Sequence, residues 1–212
     1  MTRREEAGRL EHDSPVRLHL SCKSEKILHF SPLLQQGVGV PARVGLSVKK
    51  VLCEQWGISP EYLDKRVKTI FLNGNAVDDI DKAILQDGST LALSAAMPGL
   101  AGATLRRGGI LASLRSQITH QEEKKAAQEK EGLIILKLFN LLTSELGPLL
   151  LKRGVYLKRE EFVIFIKNLS EEFWSGCRGA KLNDQEMDVQ TLREGRGLGP
   201  NDLIYLQMDF AE

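Results

Sequence analysis

The side chains best suited to covalent chemistry in this sequence are its three cysteines, Cys22, Cys53 and Cys177. Cys177 is followed by Arg178, and a neighbouring guanidinium could lower a thiol pKa and favour the nucleophilic thiolate. No histidine is obviously placed to act as a base, yet a thiol enzyme using Cys177 stays open as one alternative. Because the cysteines are odd in number and lack Cys-x-x-Cys spacing, we expect neither a disulfide framework nor a thiolate zinc site.

A metal site and a polyanion site are the other chemistries that the residue types suggest. His19 and His29 would lie opposite each other in a predicted hairpin, but without a third ligand they predict no metal site. Arg106, Arg107 and Arg115 form the most basic local patch, which could meet phosphate or an acidic partner. The patch lacks interleaved aromatic residues and the net charge is +1, so we do not expect nucleic acid as a partner.

The overall composition predicts an ordinary soluble globular protein, and we expect no cofactor. The chain has 212 residues, of which 42% are hydrophobic and 27% are charged. Its first residues contain no apolar core of signal-peptide length, which predicts that the protein is not exported and is cytoplasmic. The apolar run at 133–147 is interrupted by Lys137, Asn140 and Glu145 before it reaches the roughly 20 residues of a membrane span.

The first half predicts strands arranged around one principal helix. Residues 16–20 and 26–30 alternate between apolar and polar side chains, which predicts a hairpin with Leu18 opposite Phe30 and with His19 opposite His29. Ser47 is a suitable cap for an amphipathic helix that ends at Gly57. Further strands are expected on both sides of an Asn73-Gly74 turn and at 90–94.

The second half predicts a similar set of elements. We expect a strand ending at Phe139, a short helix at 140–146, a strand at 149–157, a helix at 158–174 and a last strand at 203–210. Apolar residues at helical spacing within 158–174 predict a buried stripe that includes Phe173. Phe139 and Phe173 are both predicted to be core rings, whose truncation to alanine would destabilise this half by roughly 3–5 kcal/mol.

An internal repeat connects the two halves. In each half a strand runs into an Asn-initiated turn, and a second apolar strand closes the unit after an acidic stretch. Asn73 is paired in this way with residues 87–93, and Asn183 with residues 201–206. The spacing from the asparagine to its paired segment is 14 residues in the first half and 18 in the second, and such self-similarity is typical of a duplicated small fold.

The repeat resembles a known family through short motifs in both halves. The second half resembles the small sulfur-carrier subunits of molybdopterin synthase at Leu-Lys-Leu-Phe, 136–139, and Ser-Glu-Leu-Gly, 144–147. The first half is similar to the same family and to its thiamine-pathway relatives at 71–74, at 85–91 and at 95–102. This resemblance implies an α+β protein with two ubiquitin-like β-grasp domains. The domains implied are 14–102 and 132–212, with a disordered tail at 1–13 and a linker with a connecting helix at 103–131.

The resemblance also implies where carrier chemistry would lie. A sulfur carrier needs a free C-terminal Gly-Gly, because only a tail without side chains threads a narrow active site. This sequence ends in Asp-Phe-Ala-Glu, and its candidate carrier glycines, Gly102, Gly108 and Gly109, are internal. We therefore expect a non-catalytic ubiquitin-like interaction protein, an adaptor or a subunit of a larger assembly. Its partners would be other proteins, such as an adenylating or cofactor-synthesis enzyme. The alternative is a carrier activated by proteolytic exposure of Gly102 or Gly109.

Overall fold

Strands and short helices account for most of the residues that the structure describes. The computed structural model describes residues 14–95, 99–110, 119 and 128–211. These residues form a mixed α+β structure with ten strands and eight α-helices, which confirms the predicted α+β class. The strands are β1 Val16–Lys23, β2 Val38–Val44, β3 Thr69–Leu72, β4 Asn75–Ala76, β5 Thr90–Ser94, β6 Lys130–Phe139, β7 Val155–Lys158, β8 Cys177–Leu182, β9 Gln185–Met187 and β10 Leu203–Ala211.

The helices are short, and four of the eight are preceded by a residue whose side chain caps them, namely Ser47, Ser59, Ser170 and Asp188. They are α1 Ser31–Gln36, α2 Val48–Lys50, α3 Pro60–Arg66, α4 Gly99–Leu105, α5 Leu142–Arg153, α6 Arg159–Lys167, α7 Glu171–Ser175 and α8 Val189–Arg193. A 3-10 helix at Ser24–Phe30 precedes α1, and a π-helical turn at Val51–Gln55 continues α2.

The chain divides into two compact units. The terminal unit holds the described residues up to Val40 and those from Ser144 onward, and the central unit holds the described residues from Pro41 to Thr143. These units have other boundaries than the predicted domains 14–102 and 132–212. The division into those two domains, which was based on the sequence repeat, stays a prediction. The predicted tail at 1–13 and most of the predicted connecting helix, 111–118 and 120–127, lie outside the described residues.

The strand order of the terminal unit is β9-β8-β1-β10-β7. Its two central strands are parallel, with Leu18 of β1 opposite Leu206 of β10, while β8 and β7 run antiparallel on either side. Side chains along β1, and along β10 as far as Asp209, alternate between buried and more exposed positions. The buried members form one apolar face and include Leu18, Leu20, Cys22, Ile204, Leu206 and Met208. Such alternation is expected of a sheet with only one covered face.

In the central unit the strand order is β4-β3-β5-β6, followed by β2, of which residues 41–44 belong to this unit. Strands β5 and β6 are parallel, and β3 runs antiparallel to both β5 and β4. The predicted helix after β2 is confirmed, because the Ser47 side chain accepts a hydrogen bond from the Lys50 N–H and the apolar stripe from Val48 to Trp56 is buried. Gly57 follows that stripe with a φ of +75°, the left-handed conformation that glycine adopts without strain.

The predicted hairpin at 16–30 is wrong. Strand β1 already has a neighbour on each side, so residues 26–30 have no free edge to pair with and form the 3-10 helix instead. Leu28, which the hairpin register placed in the core, is 59% exposed. The His29 ring packs edge-on against Phe173 at 5.5 Å and does not lie opposite His19.

Three predictions in the second half also need correction. The first helix is longer than expected, Leu142–Arg153, so the strand after it shortens to Val155–Lys158. The predicted helix at 158–174 is two helices, because Ser170 caps a new helix by accepting a hydrogen bond from the Phe173 N–H. Phe173 is fully buried as predicted, but Phe139 lies on the half-buried side of β6 and is not a core ring.

Candidate functional site

The terminal unit presents a polar sheet surface, which we call the open face. It consists of Arg17 and His19 on β1 and of Tyr205, Gln207 and Asp209 on β10. These residues alternate with the buried ones and lie side by side in register, Arg17 opposite Tyr205 and His19 opposite Gln207. His19 Nε2 and Asp209 Oδ2 are 3.0 Å apart. The open face therefore combines both charge signs with an aromatic ring.

Tyr205 is held on the open face by a hydrogen bond and by a ring contact. Its hydroxyl donates a hydrogen bond of 2.7 Å to the carbonyl of Arg153, and its ring packs against that of Tyr156 with centroids 5.0 Å apart. Partial burial, followed by the nearby Tyr156 hydroxyl, raises the pKa of Tyr205 above its ordinary value. Because the ring is fixed by both contacts, it offers a rigid amphipathic surface, a property that favours binding at low entropic cost.

Both units contain the same asparagine clamp at the hairpin that the repeat predicted. In the central unit the Asn73 N–H donates to the Thr90 carbonyl at 2.8 Å, and Asn73 Oδ1 accepts from the Thr90 N–H at 2.8 Å. In the terminal unit Asn183 makes the same two bonds to Arg17, at 2.8 and 3.0 Å. Both asparagines have positive φ, +51° and +48°, which suits asparagine better than most residues.

The clamp shows where the repeat in the sequence misidentified a partner. The sequence pairs Asn183 with residues 201–206, whereas in the structure the strand beside β8 is β1. The strand that pairs with β8 in the terminal unit is therefore β1, which is about 160 residues away in the sequence. Pattern analysis missed it because β1 and β10 carry the same apolar alternation.

The three candidate carrier glycines lie in a folded segment of the central unit. Gly102 is buried within α4. The Gly108 N–H donates to Asp78 Oδ1 at 3.3 Å, and the Gly109 N–H donates to the Arg106 carbonyl at 3.1 Å. If the segment that holds Gly108 and Gly109 were to become a free tail, these hydrogen bonds would have to break.

Arg107 anchors the same segment in an acidic groove. Its guanidinium donates to Asp64 Oδ1 at 2.9 Å, and its backbone N–H donates to the Lys68 carbonyl at 2.8 Å. The groove has a volume of about 470 Å³ and is lined by Lys49, Pro60, Leu63, Asp64, Asp78, Asp79, Ile80, Asp81 and Arg107. A hydrogen bond from Lys49 to Asp81, 3.0 Å long, raises the pKa of Lys49. Arg107, which belongs to the predicted basic patch, thus forms an ion pair with Asp64 of the same chain.

Cys177 lies at the first position of β8, directly opposite Cys22 of β1. The two sulfur atoms are 2.8 Å apart, and both cysteines are free thiols. Cys53 lies elsewhere, on α2's π-helical turn, where burial raises its thiol pKa. Sequence analysis missed the Cys22–Cys177 contact, since 155 positions separate the two residues.

Comparison of the chain with family models, with curated proteins and with solved structures gives no match. Within the described ranges, no three or more His, Cys, Asp and Glu side chains gather as metal ligands. In the same part of the chain no helix combines the length and the apolar character needed to cross a bilayer.

Proposed function

We propose that this chain is a non-catalytic interaction protein built from two ubiquitin-like β-grasp units, acting as an adaptor or as a subunit of a larger assembly. The observation that carries the proposal is the common plan of the two units. Each has two parallel strands, an antiparallel hairpin closed by the same asparagine clamp, and a helix that follows β2 or β7 in the chain. A small mixed sheet curved around one principal helix is what the resemblance implies.

The surroundings of the internal glycines favour this function over sulfur transfer. A carrier glycine must enter an active site as a flexible chain end. Gly102 is buried in a helix, and the segment around Gly108 is fixed by Arg107 and by Asp78. The acidic groove therefore acts on this segment as a structural anchor in the uncut chain.

The open face is the surface that we assign to the partner. Arg17 is exposed, Lys181 of β8 lies opposite His19 and forms a 3.3 Å ion pair with Glu186, and Asp209 of β10 is exposed as well. Such a mixture suits the surface of a folded protein with charges of both signs better than a polyanion, which needs a dense basic field. We therefore propose a folded protein partner whose charges complement this pattern.

Site-specific photo-crosslinking tests the assignment. A photoreactive amino acid replaces Gln207 on the open face or, as control, Glu160, an exposed residue of α6. We expect one dominant adduct from position 207, formed at low concentration, that is competed by unlabelled wild-type protein but not by an Arg17→Glu variant. Equal adducts from both positions, or competition by Arg17→Glu equal to wild type, would refute the assignment.

Intact-mass measurement of the protein from its native host tests the function itself. A full-length chain agrees with an interaction protein. A major species that ends at Gly102 or Gly109 would replace this proposal with that of a processed sulfur carrier.

A further inference from the structure

The contact between Cys22 and Cys177 has the geometry of a pair ready to be bridged. The two residues face each other on neighbouring antiparallel strands, and their sulfur atoms, 2.8 Å apart, are closer than an ordinary non-bonded contact. A β-bulge next to Cys22 interrupts the regular register and leaves Cys22 and Cys177 as partners, so the short sulfur–sulfur distance itself shows that the two side chains reach each other. Little backbone movement is needed to form a bond.

The two thiols differ in access and in acidity. Cys22 is fully buried, whereas Cys177 is partly exposed. The hydrogen bond to Cys177, together with burial, raises the pKa of Cys22. The same hydrogen bond, helped by the charge of Lys26, lowers the pKa of Cys177 below its ordinary value. Cys177 is therefore the thiol that a reagent in solution meets first and the one that ionises more readily.

Lys26 is held close to this pair by its packing. Its side chain is only 6% exposed, and its ammonium group lies 3.0 Å from Glu172 and 3.2 Å from Glu25. The stem of Lys26 runs along Gly176, where an added Cβ would come within 2.5 Å of the lysine Cε. A glycine directly before Cys177 thus leaves room for a buried cation beside the thiol.

We propose that Cys22 and Cys177 form a redox-active pair that is oxidised by exchange with a small disulfide of the glutathione class. The Cys177 thiolate attacks one sulfur of glutathione disulfide, whose S–S bond breaks and releases one glutathione thiolate. Cys22 gives up its proton and attacks the Cys177 sulfur, and the bond from Cys177 to the second glutathione breaks. Two electrons pass from the cysteine pair to the reagent, and two glutathione thiols leave with the two protons.

Counting free thiols in the full-length protein tests the proposal without any substitution. The native protein is equilibrated with glutathione disulfide, and the remaining free thiols are alkylated in denaturant. The intact mass then gives the number of alkyl adducts. We expect three adducts before oxidation and one afterwards, with the remaining adduct on Cys53 and a digestion product that joins β1 to β8. Three adducts after equilibration, or a bridge that includes Cys53, would overturn the proposal.

Matched variants separate the attacking thiol from the resolving thiol. Cys22→Ala should accumulate one glutathione on Cys177, because the resolving sulfur is gone, while Cys53→Ser should form the internal bridge like wild type. Cys177→Ala should react at least tenfold more slowly, since only buried Cys22 remains in the pair. Glutathione accumulating on Cys22 in Cys177→Ala as fast as on Cys177 in Cys22→Ala would refute the assigned order of attack.

Discussion

Replacing the two clamp asparagines should weaken both hairpins by similar amounts. Asn73→Ala and Asn183→Ala each remove a side-chain acceptor, worth about 0.5–1 kcal/mol at these exposed positions, from bonds of 2.8 and 3.0 Å. Each also places alanine at a φ near +50°, which adds roughly 1–1.5 kcal/mol. We therefore expect a loss of about 1.5–2.5 kcal/mol for each alanine variant. The corresponding glycine variants, which tolerate positive φ, should lose about 1 kcal/mol or less.

Amide hydrogen exchange locates the effect. In Asn183→Ala the Arg17 amide loses its acceptor and should exchange roughly 10- to 70-fold faster, and the Thr90 amide should respond in the same way in Asn73→Ala. The reasoning would be refuted if Asn183→Ala left Arg17 protected and accelerated amides at 203–206 instead. That result would place the strand predicted by the sequence repeat beside β8.

Three further substitutions test the packing and the charges of the terminal unit. Phe173→Ala, which removes a fully buried ring, should lower the free energy of unfolding by about 3–5 kcal/mol in urea titrations, whereas Ile164→Ala, at a 64% exposed position, should change it by less than about 0.5 kcal/mol. Gly154→Ala should destabilise by more than about 2 kcal/mol, since Gly154 has a φ of +98° and an added Cβ would overlap a tyrosine ring, while Gly179→Ala, with open space around it, should be nearly neutral by thermal melting. Backbone N–H groups of α8 lower the pKa of Asp188, so wild type should lose stability as the pH falls below about 4 through that lowered pKa. An Asp188→Asn variant, which keeps the cap, should not show this loss of stability in acid titrations. Equal acid sensitivity of the two proteins would contradict the cap.

Local features of the fold could be predicted from the sequence because their causes lie within a few residues. The Ser47 cap, the buried stripe after it and the left-handed Gly57 occupy a span of eleven residues. The strand predicted at 26–30 is wrong for a related reason, since five residues are too few to distinguish strand periodicity from helix periodicity. Lys26 and Phe30 are both buried and four positions apart, a helical spacing, whereas Leu28 between them is exposed.

The candidate site depended on distant pairings that the sequence does not specify. Alternation along β1 does predict that Cys22 shares the buried face with Leu18 and Leu20, a signal available from the sequence. It cannot say which strand lies alongside. The pairing with Cys177 and the approach of Lys26 to Gly176 arise from contacts about 150 positions apart.

Strand order and thiol chemistry are linked in the terminal unit, so each tests the other. If β10 rather than β1 lay beside β8, a whole strand would separate Cys22 from Cys177. Neighbouring strands are about 4.8 Å apart, which would place the two α-carbons at roughly 10 Å, beyond the limit of about 7 Å for a disulfide. A bridge between these cysteines in the native protein therefore requires β1 to lie next to β8. Faster hydrogen exchange of the Arg17 amide in Asn183→Ala requires the same strand order. If the disulfide formed but the exchange of this amide did not change, or the reverse, the register of β1 against β8 would be wrong.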